Sequence, residues 1–221
     1  MIKFAPQLIN LFATLILLLS FAMISQRRIV SLINLFMMQG LALVITSFLL
    51  AYATNQPDLH VSGALTLVLK VILIPWMLHR MIRKLNVRWD VETLLNVPTT
   101  MLVGIALVIF SFSLALPVSR LSSSLAGGSL GIALSCVMLS FLMLITRSKA
   151  VPQVIGFLSM ENGLIFAATA VTNGMPMIVE FGIALDVLVG VLILGVFMFQ
   201  IREKFDTLDI HHLETLKDDS A

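Results

Sequence analysis

The chain has 221 residues, 59% of them hydrophobic and only 12% charged, with a mean hydropathy of +1.04. Soluble domains carry about 25% charged residues, so this composition excludes an ordinary water-soluble globule and points to an integral membrane protein. The net charge of +2 says little about partners, and the single Cys136 excludes internal disulfides and multi-thiolate metal sites.

Runs of about 20 apolar residues define spanning helices, and seven are expected, giving an all-α membrane protein. The first covers roughly Pro6–Ser25. Its apolar run from Leu8 to about Ile24 is too long for a signal peptide, and no small-x-small cleavage pattern follows. The second, Val30–Ala53, ends at the turn signal Asn55-Gln56-Pro57-Asp58. The third, Val61–His79, contains Pro75 about one turn beyond Lys70, where a kink and a freed carbonyl are expected. The fourth is Val97–Leu116. The fifth, Leu125–Thr146, follows the Ser122-Ser123-Ser124 cluster and carries Gly127, Gly131 and Ser135 at four-residue spacing, a strip that lets a neighbouring helix approach. The sixth is Val151–Val171. The seventh, Met177–Gln200, starts after Asn173-Gly174-Met175-Pro176. Pro98, Pro152 and Pro176 lie at or just before helix starts, where a missing N–H costs nothing.

Basic residues set the orientation. With the amino terminus outside, the inner segments hold Arg27, Arg28, Arg80, Arg83, Lys84, Arg88, Arg147, Lys149, Arg202, Lys204 and Lys217, and the outer ones only Lys3 and Arg120. The carboxy terminus is then cytoplasmic. In the tail from Arg202 to Ala221, Leu208, Ile210, Leu213 and Leu216 can line one face of a surface helix that docks on a partner or the membrane, or the tail can simply fray.

Three charges fall near the middle of spans: Lys70, Glu161 and Asp186. Each costs about 2.5–3.5 kcal/mol on insertion scales, and such groups commonly mark ion pathways. Glu161 has Ser159 and Asn162 beside it, either of which can hydrogen-bond it or hold a water; a protonated Glu bonded to a neighbouring helix is the structural alternative. Asp186 lies between Gly182 and Gly190, a smooth face open to another helix or a water file. Lys70 is its natural counter-ion, and the pair could toggle on protonation or fix helix packing. Glu180 is expected to snorkel at the outer end of the seventh helix, and His79 to be interfacial. His60 stands alone and His211 and His212 are adjacent, so the histidines show no metal-ligand spacing. There is no Gly-rich phosphate loop or haem attachment motif. No cofactor, metal or nucleic acid is expected.

A weak internal echo relates residues 27–94 to the last two helices. Gln39-Gly40-Leu41 resembles Asn162-Gly163-Leu164, and Leu69-Lys70-Val71 resembles Leu185-Asp186-Val187. It would place Lys70 and Asp186 at equivalent sites with opposite charge.

From about Arg147 to Asp219 the chain resembles the three-helix chain 4L (K subunit) of respiratory complex I. The resemblance rests on Val154-Ile155-Gly156 followed by Asn162, then Asp186 four residues before Gly190. Met160-Glu161-Asn162-Gly163, Ile183-Ala184-Leu185-Asp186 and the tail Thr207-Leu208-Asp209 to Leu213-Glu214-Thr215-Leu216-Lys217 resemble hydrogenase-4 component E, the longer 4L-like membrane subunit of group 4 hydrogenase and formate hydrogenlyase complexes. That family also fits the length and helix count. The resemblance implies an amino-terminal membrane part (1–146), a 4L-like helix pair (147–201) and a cytoplasmic tail (202–221). It further implies a non-catalytic subunit in a prokaryotic inner membrane, between quinone-subunit-like and antiporter-like proteins, that supplies carboxylates to a lateral proton or sodium path. Asp186 would replace the family's Glu directly. The other family carboxylate would fall at Leu158, whereas the acid here is Glu161, one turn along. Glu161 and Asp186 are thus the expected relay acids and Lys70 their modulating partner. A purely structural bridging subunit and a stand-alone ion transporter are the alternatives.

Overall fold

A computed structural model of the chain describes residues 5–54, 57–85, 93, 95–119, 129–172, 188 and 190. The described residues are almost entirely helical: α1 Ala5–Ser25, α2 Ile29–Thr54, α3 Pro57–Thr66, a π-helical stretch Leu67–Leu73, α4 Ile74–Leu85, α5 Val97–Ser119, α6 Leu130–Thr146 and α7 Ala150–Thr172. No strand occurs among them, and an isolated antiparallel bridge joins Thr93 to Arg147. Five spans are long and apolar enough to cross a bilayer, with the shorter apolar α6 as a sixth. They match the first six expected spans. The expected seventh, with Glu180 and Asp186, lies outside the described residues, as do the tail, the Ser122–Ser124 cluster and Gly127.

Among the boundaries that differ from expectation, two lie at prolines. The third span runs without a break from Pro57 through the π-helical stretch to Leu85. Pro57 occupies the first turn, where its missing N–H removes no hydrogen bond. The fourth span continues past Leu116 to Ser119, with Pro117 inside it. In the last turn that proline removes a single helical bond, which leaves the rest of α5 untouched.

α1 and α2 form one antiparallel hairpin and α6 and α7 another. α1 packs on α6, and α2 on α7. α5 covers the α1–α6 side, and the third span lies along α2. Lipid is as apolar as leucine, so burial gives little drive for helices to associate. Small residues that permit close approach take over that role. Gly156 and Gly163 of α7 meet α6 in this way: a Cβ on Gly163 would stand 2.9 Å from Val137 Cγ2 and 3.1 Å from Val137 N. Gly131 of the expected small-residue strip takes the Phe112 ring of α5 against its Cα. Gly163→Ala is expected to cost about 1–3 kcal/mol through overpacking against backbone. Gly156→Ala, whose nearest neighbour would be 3.3 Å away, should cost less. Unfolding titrations with SDS in mild detergent measure both.

The interior is layered along the membrane normal. One apolar layer joins Met23, Ile29, Phe36, Leu78, Leu142 and Ile155. A second joins Ala13, Ile16, Leu43, Cys136 and Phe166. Between them along the chain lie buried Ser20 of α1, Gln39 of α2 and Glu161 and Asn162 of α7, with Lys70 in contact with the last two. The buried Ser140–Ser159 pair adjoins Leu139 and Leu158 of the first layer.

The first layer marks the end of the bundle where the described basic residues Arg27, Arg28, Arg80, Arg83, Arg147 and Lys149 gather. Arg147 departs from its expected place as a solvated loop cation. It is 1% exposed, and its Nη2 donates to the carbonyls of Met23 at 3.1 Å and Ile24 at 2.7 Å. Both carbonyls belong to the last turn of α1, where the helix dipole favours a cation, and Met23 O also accepts from Gln26 N–H at 3.3 Å. Gln153 Nε2 donates back to the Arg147 carbonyl at 2.8 Å. Burial pushes the guanidinium pKa from 12.5 down to about 10, so it stays charged at neutral pH.

Candidate functional site

The buried polar layer is centred on Lys70. The residue lies at the middle of the π-helical stretch, and Pro75 explains why that stretch exists. Proline has no N–H to give to Val71, four residues back, and its ring crowds that carbonyl. Widening the helix relieves the clash: Ile74 N–H bonds to Leu69 O, five residues back. The break expected near Lys70 is therefore a change of helical register, a feature frequent at functional sites. Gly40 of α2 faces this wider turn, and a Cβ there would make ordinary contacts 3.4 Å from Val71 Cγ2 and 3.7 Å from Lys70 Cβ.

Lys70 is fully buried and Glu161 1% exposed, with Nζ 3.1 Å from Glu161 Oε1. Lys70 Nζ also donates to Asn162 Oδ1 at 3.0 Å. Asn162 Nδ2 donates to Gln39 Oε1 at 3.2 Å, Gln39 Nε2 to Ser20 Oγ at 2.8 Å, and Ser20 Oγ to Ile16 O at 3.0 Å. The third span, α7, α2 and α1 are thereby joined across the bundle by one chain of polar contacts. Isolated in hydrocarbon, each of these groups would be costly. Joined, Lys70, Asn162, Gln39 and Ser20 satisfy one another, and Lys70 brings its charge to Glu161.

Two sequence-based expectations are met in altered form. Lys70 has a carboxylate partner, but among the described residues it is Glu161, while Asp186 lies outside them. Asn162 does join the site, yet it bonds Lys70 and Gln39. Ser159 was the other expected neighbour of Glu161, and it pairs instead with Ser140 of α6 at 2.7 Å. The reason is helical geometry: residues two apart point about 200° from one another, so Ser159 and Glu161 cannot share a face. At Gly190, expected to face another helix or a water file, no atom would lie within 4 Å of an added Cβ among the described residues. His79 is half-buried, its Nδ1 2.9 Å from Pro75 O, and Arg80 stacks over Trp76 at 5.3 Å.

Gln39 and Ser20 were not anticipated as site residues. Gln39 carried a signal all the same, as an amide in the middle of a 26-residue apolar helix. Its only earlier notice was as the counterpart of Asn162 in the internal echo. The structure places those two amides in hydrogen-bond contact.

No protein-family model matches the chain, and no solved structure matches it at a significant level. An uncharacterized protein of Mycobacterium tuberculosis is 29% identical over 204 residues, covering 92% of this chain and 93% of that protein. Hydrogenase-4 component E of Escherichia coli is 24% identical over 210 residues, covering 95% of this chain and 97% of the relative, and the Shigella flexneri protein of that name matches equally.

Proposed function

We propose that this chain, a homologue of hydrogenase-4 component E along nearly its whole length, is a non-catalytic membrane subunit of a bacterial hydrogenase complex, with Glu161 and Lys70 in a lateral ion path. The observation that carries the ion-path reading is the buried pair at 3.1 Å within a polar layer held between two apolar layers. A carboxylate and an amine in contact can exchange and pass a proton, and intramembrane ionisable groups are by default functional. The layer runs across the bundle rather than through it, which suits transfer between neighbouring subunits. Antiporter-like and quinone-subunit-like membrane proteins are the partners this reading needs, in the bacterial inner membrane with the basic end cytoplasmic. Asp186 is kept as a second relay acid on the strength of its sequence position.

The test uses the intact complex in proteoliposomes. Glu161→Gln is isosteric and cannot ionise, so the subunit should assemble while coupled ion movement is lost. Full pumping by this variant would remove Glu161 from the path.

The enclosure of the pair by apolar layers also suits a static clamp in a bridging subunit. Lys70→Met/Glu161→Met discriminates the two, because it preserves packing and removes both titrating groups. A clamp survives this exchange with coupling intact, and a relay does not.

A further inference from the structure

The buried hydrogen bonds run in one direction. Lys70 Nζ can only donate, so the Asn162 atom 3.0 Å from it is the oxygen, and Nδ2 is left to face Gln39 Oε1. At the far end, Ser20 gives its proton to the Ile16 carbonyl, so toward Gln39 Nε2 it can only accept. Both ends impose the same sense. Each link donates away from Lys70 and presents the negative end of its dipole to the ammonium, and links in such a chain strengthen one another.

An amide is a poor carrier of protons. Its oxygen is only weakly basic and its nitrogen only weakly acidic, and passing a proton from oxygen to nitrogen leaves the unfavourable imidic acid tautomer, whereas carboxyl, amine, imidazole, hydroxyl and thiol groups return to an ordinary form after taking up and releasing a proton. Two amides in series therefore interrupt any relay between Lys70 and Ser20.

We infer that Gln39 and Asn162 are positioning residues: they hold the Lys70 ammonium against Glu161 and insulate the α1–α2 side, so that the ion path ends at Lys70 in that direction. This inference rests on the relay reading of Glu161. The polar chain through four helices is then two devices in one layer, a titrating pair and a one-way amide anchor behind it. Its outer members act on the path only through the placement of Lys70.

The experiment follows proton movement in proteoliposomes of the intact complex, with and without hydrogenase turnover, normalised to incorporated subunit. In Gln39→Leu the anchor is cut and the ammonium loses its fixed place, so coupled movement should fall at least about tenfold, the scale expected when a reacting group is displaced by an ångström. In Gln39→Glu/Asn162→Asp the insulator becomes a series of carboxyls of the same shape, able to exchange protons with the pair, and infrared difference spectra of the complex under turnover should gain carboxyl bands that the wild type lacks. This gain is something that a packing role alone would not produce. Wild-type coupling in Gln39→Leu would overturn the positioning role, and a double variant without new carboxyl bands would overturn the insulation. Should Gln39→Leu fail to reach the membrane, the bands of the double variant decide the matter. Glu161→Gln run in parallel separates the two levels. If it pumps fully, the relay reading has failed. If it is inactive while Gln39→Leu pumps normally and no new band appears, only the present inference has failed.

Discussion

Lys70→Met should destabilise the protein by about 3–5 kcal/mol, the range found when one member of a buried ion pair is removed and the other charge is left uncompensated. The size follows from enclosure. Lys70 is 0% and Glu161 1% exposed, with apolar layers above and below, so water cannot readily replace the lost partner. The amide chain is broken as well, since Asn162 Oδ1 loses its donor. Lys70→Met/Glu161→Met should recover most of the loss, because well-packed apolar side chains of similar volume commonly replace a buried pair without penalty. SDS unfolding titrations of the purified protein measure all three. A double variant as unstable as the single one would show that the cost arises from packing around the π-helical stretch rather than from an unpaired charge.

Arg147→Ala should cost about 3 kcal/mol by the same assay, from two hydrogen bonds of a charged donor and the volume of a buried side chain. The fork from Nη2 to Met23 O and Ile24 O ties the end of α1 to the α6–α7 joint, with Met23 O shared with Gln26 N–H. Arg147→Lys keeps the charge on a shorter, non-planar head and should recover only part of the stability. If Arg147→Lys matched wild type, the dipole interaction alone would account for the site, and the two-carbonyl geometry would be incidental.

Much of the architecture was legible residue by residue. Apolar runs longer than a bilayer needs placed six described spans within a few residues, and prolines marked where the pattern would be disturbed. Pro75 signalled the irregularity at Lys70, though whether the helix would kink or widen was beyond local reading. The fourth span is expected to end at Leu116 and runs on through Pro117 to Ser119, where near the terminus the penalty of a proline is a single bond.

The site was legible in membership more than in wiring. Midplane depth identified Lys70 and Glu161, and Asn162 was named for standing next to Glu161. Pairing Lys70 with Asp186 followed from opposite charge and a weak repeat, neither of which states which helices touch. Ser159 was placed with Glu161 by nearness in sequence, and the helical turn sends it to Ser140. Arg147 was counted by its position between spans, and nothing in its neighbours signals that two carbonyls 123 and 124 residues away enclose it.

The sequence by itself determined the six described spans, the mid-helix positions of Lys70 and Glu161 and the end of the bundle where the described basic residues gather. These depend on hydrophobic length and on the cost of burying charge, both of which are local properties. Which charge meets which, and through what polar neighbours, was decided only by the tertiary structure. A lipid-embedded helix is apolar on every side, so its pattern does not announce the face that meets its neighbours. The choice falls to close approach at glycines such as Gly40, Gly156 and Gly163, and to the demand that every buried polar group find a partner.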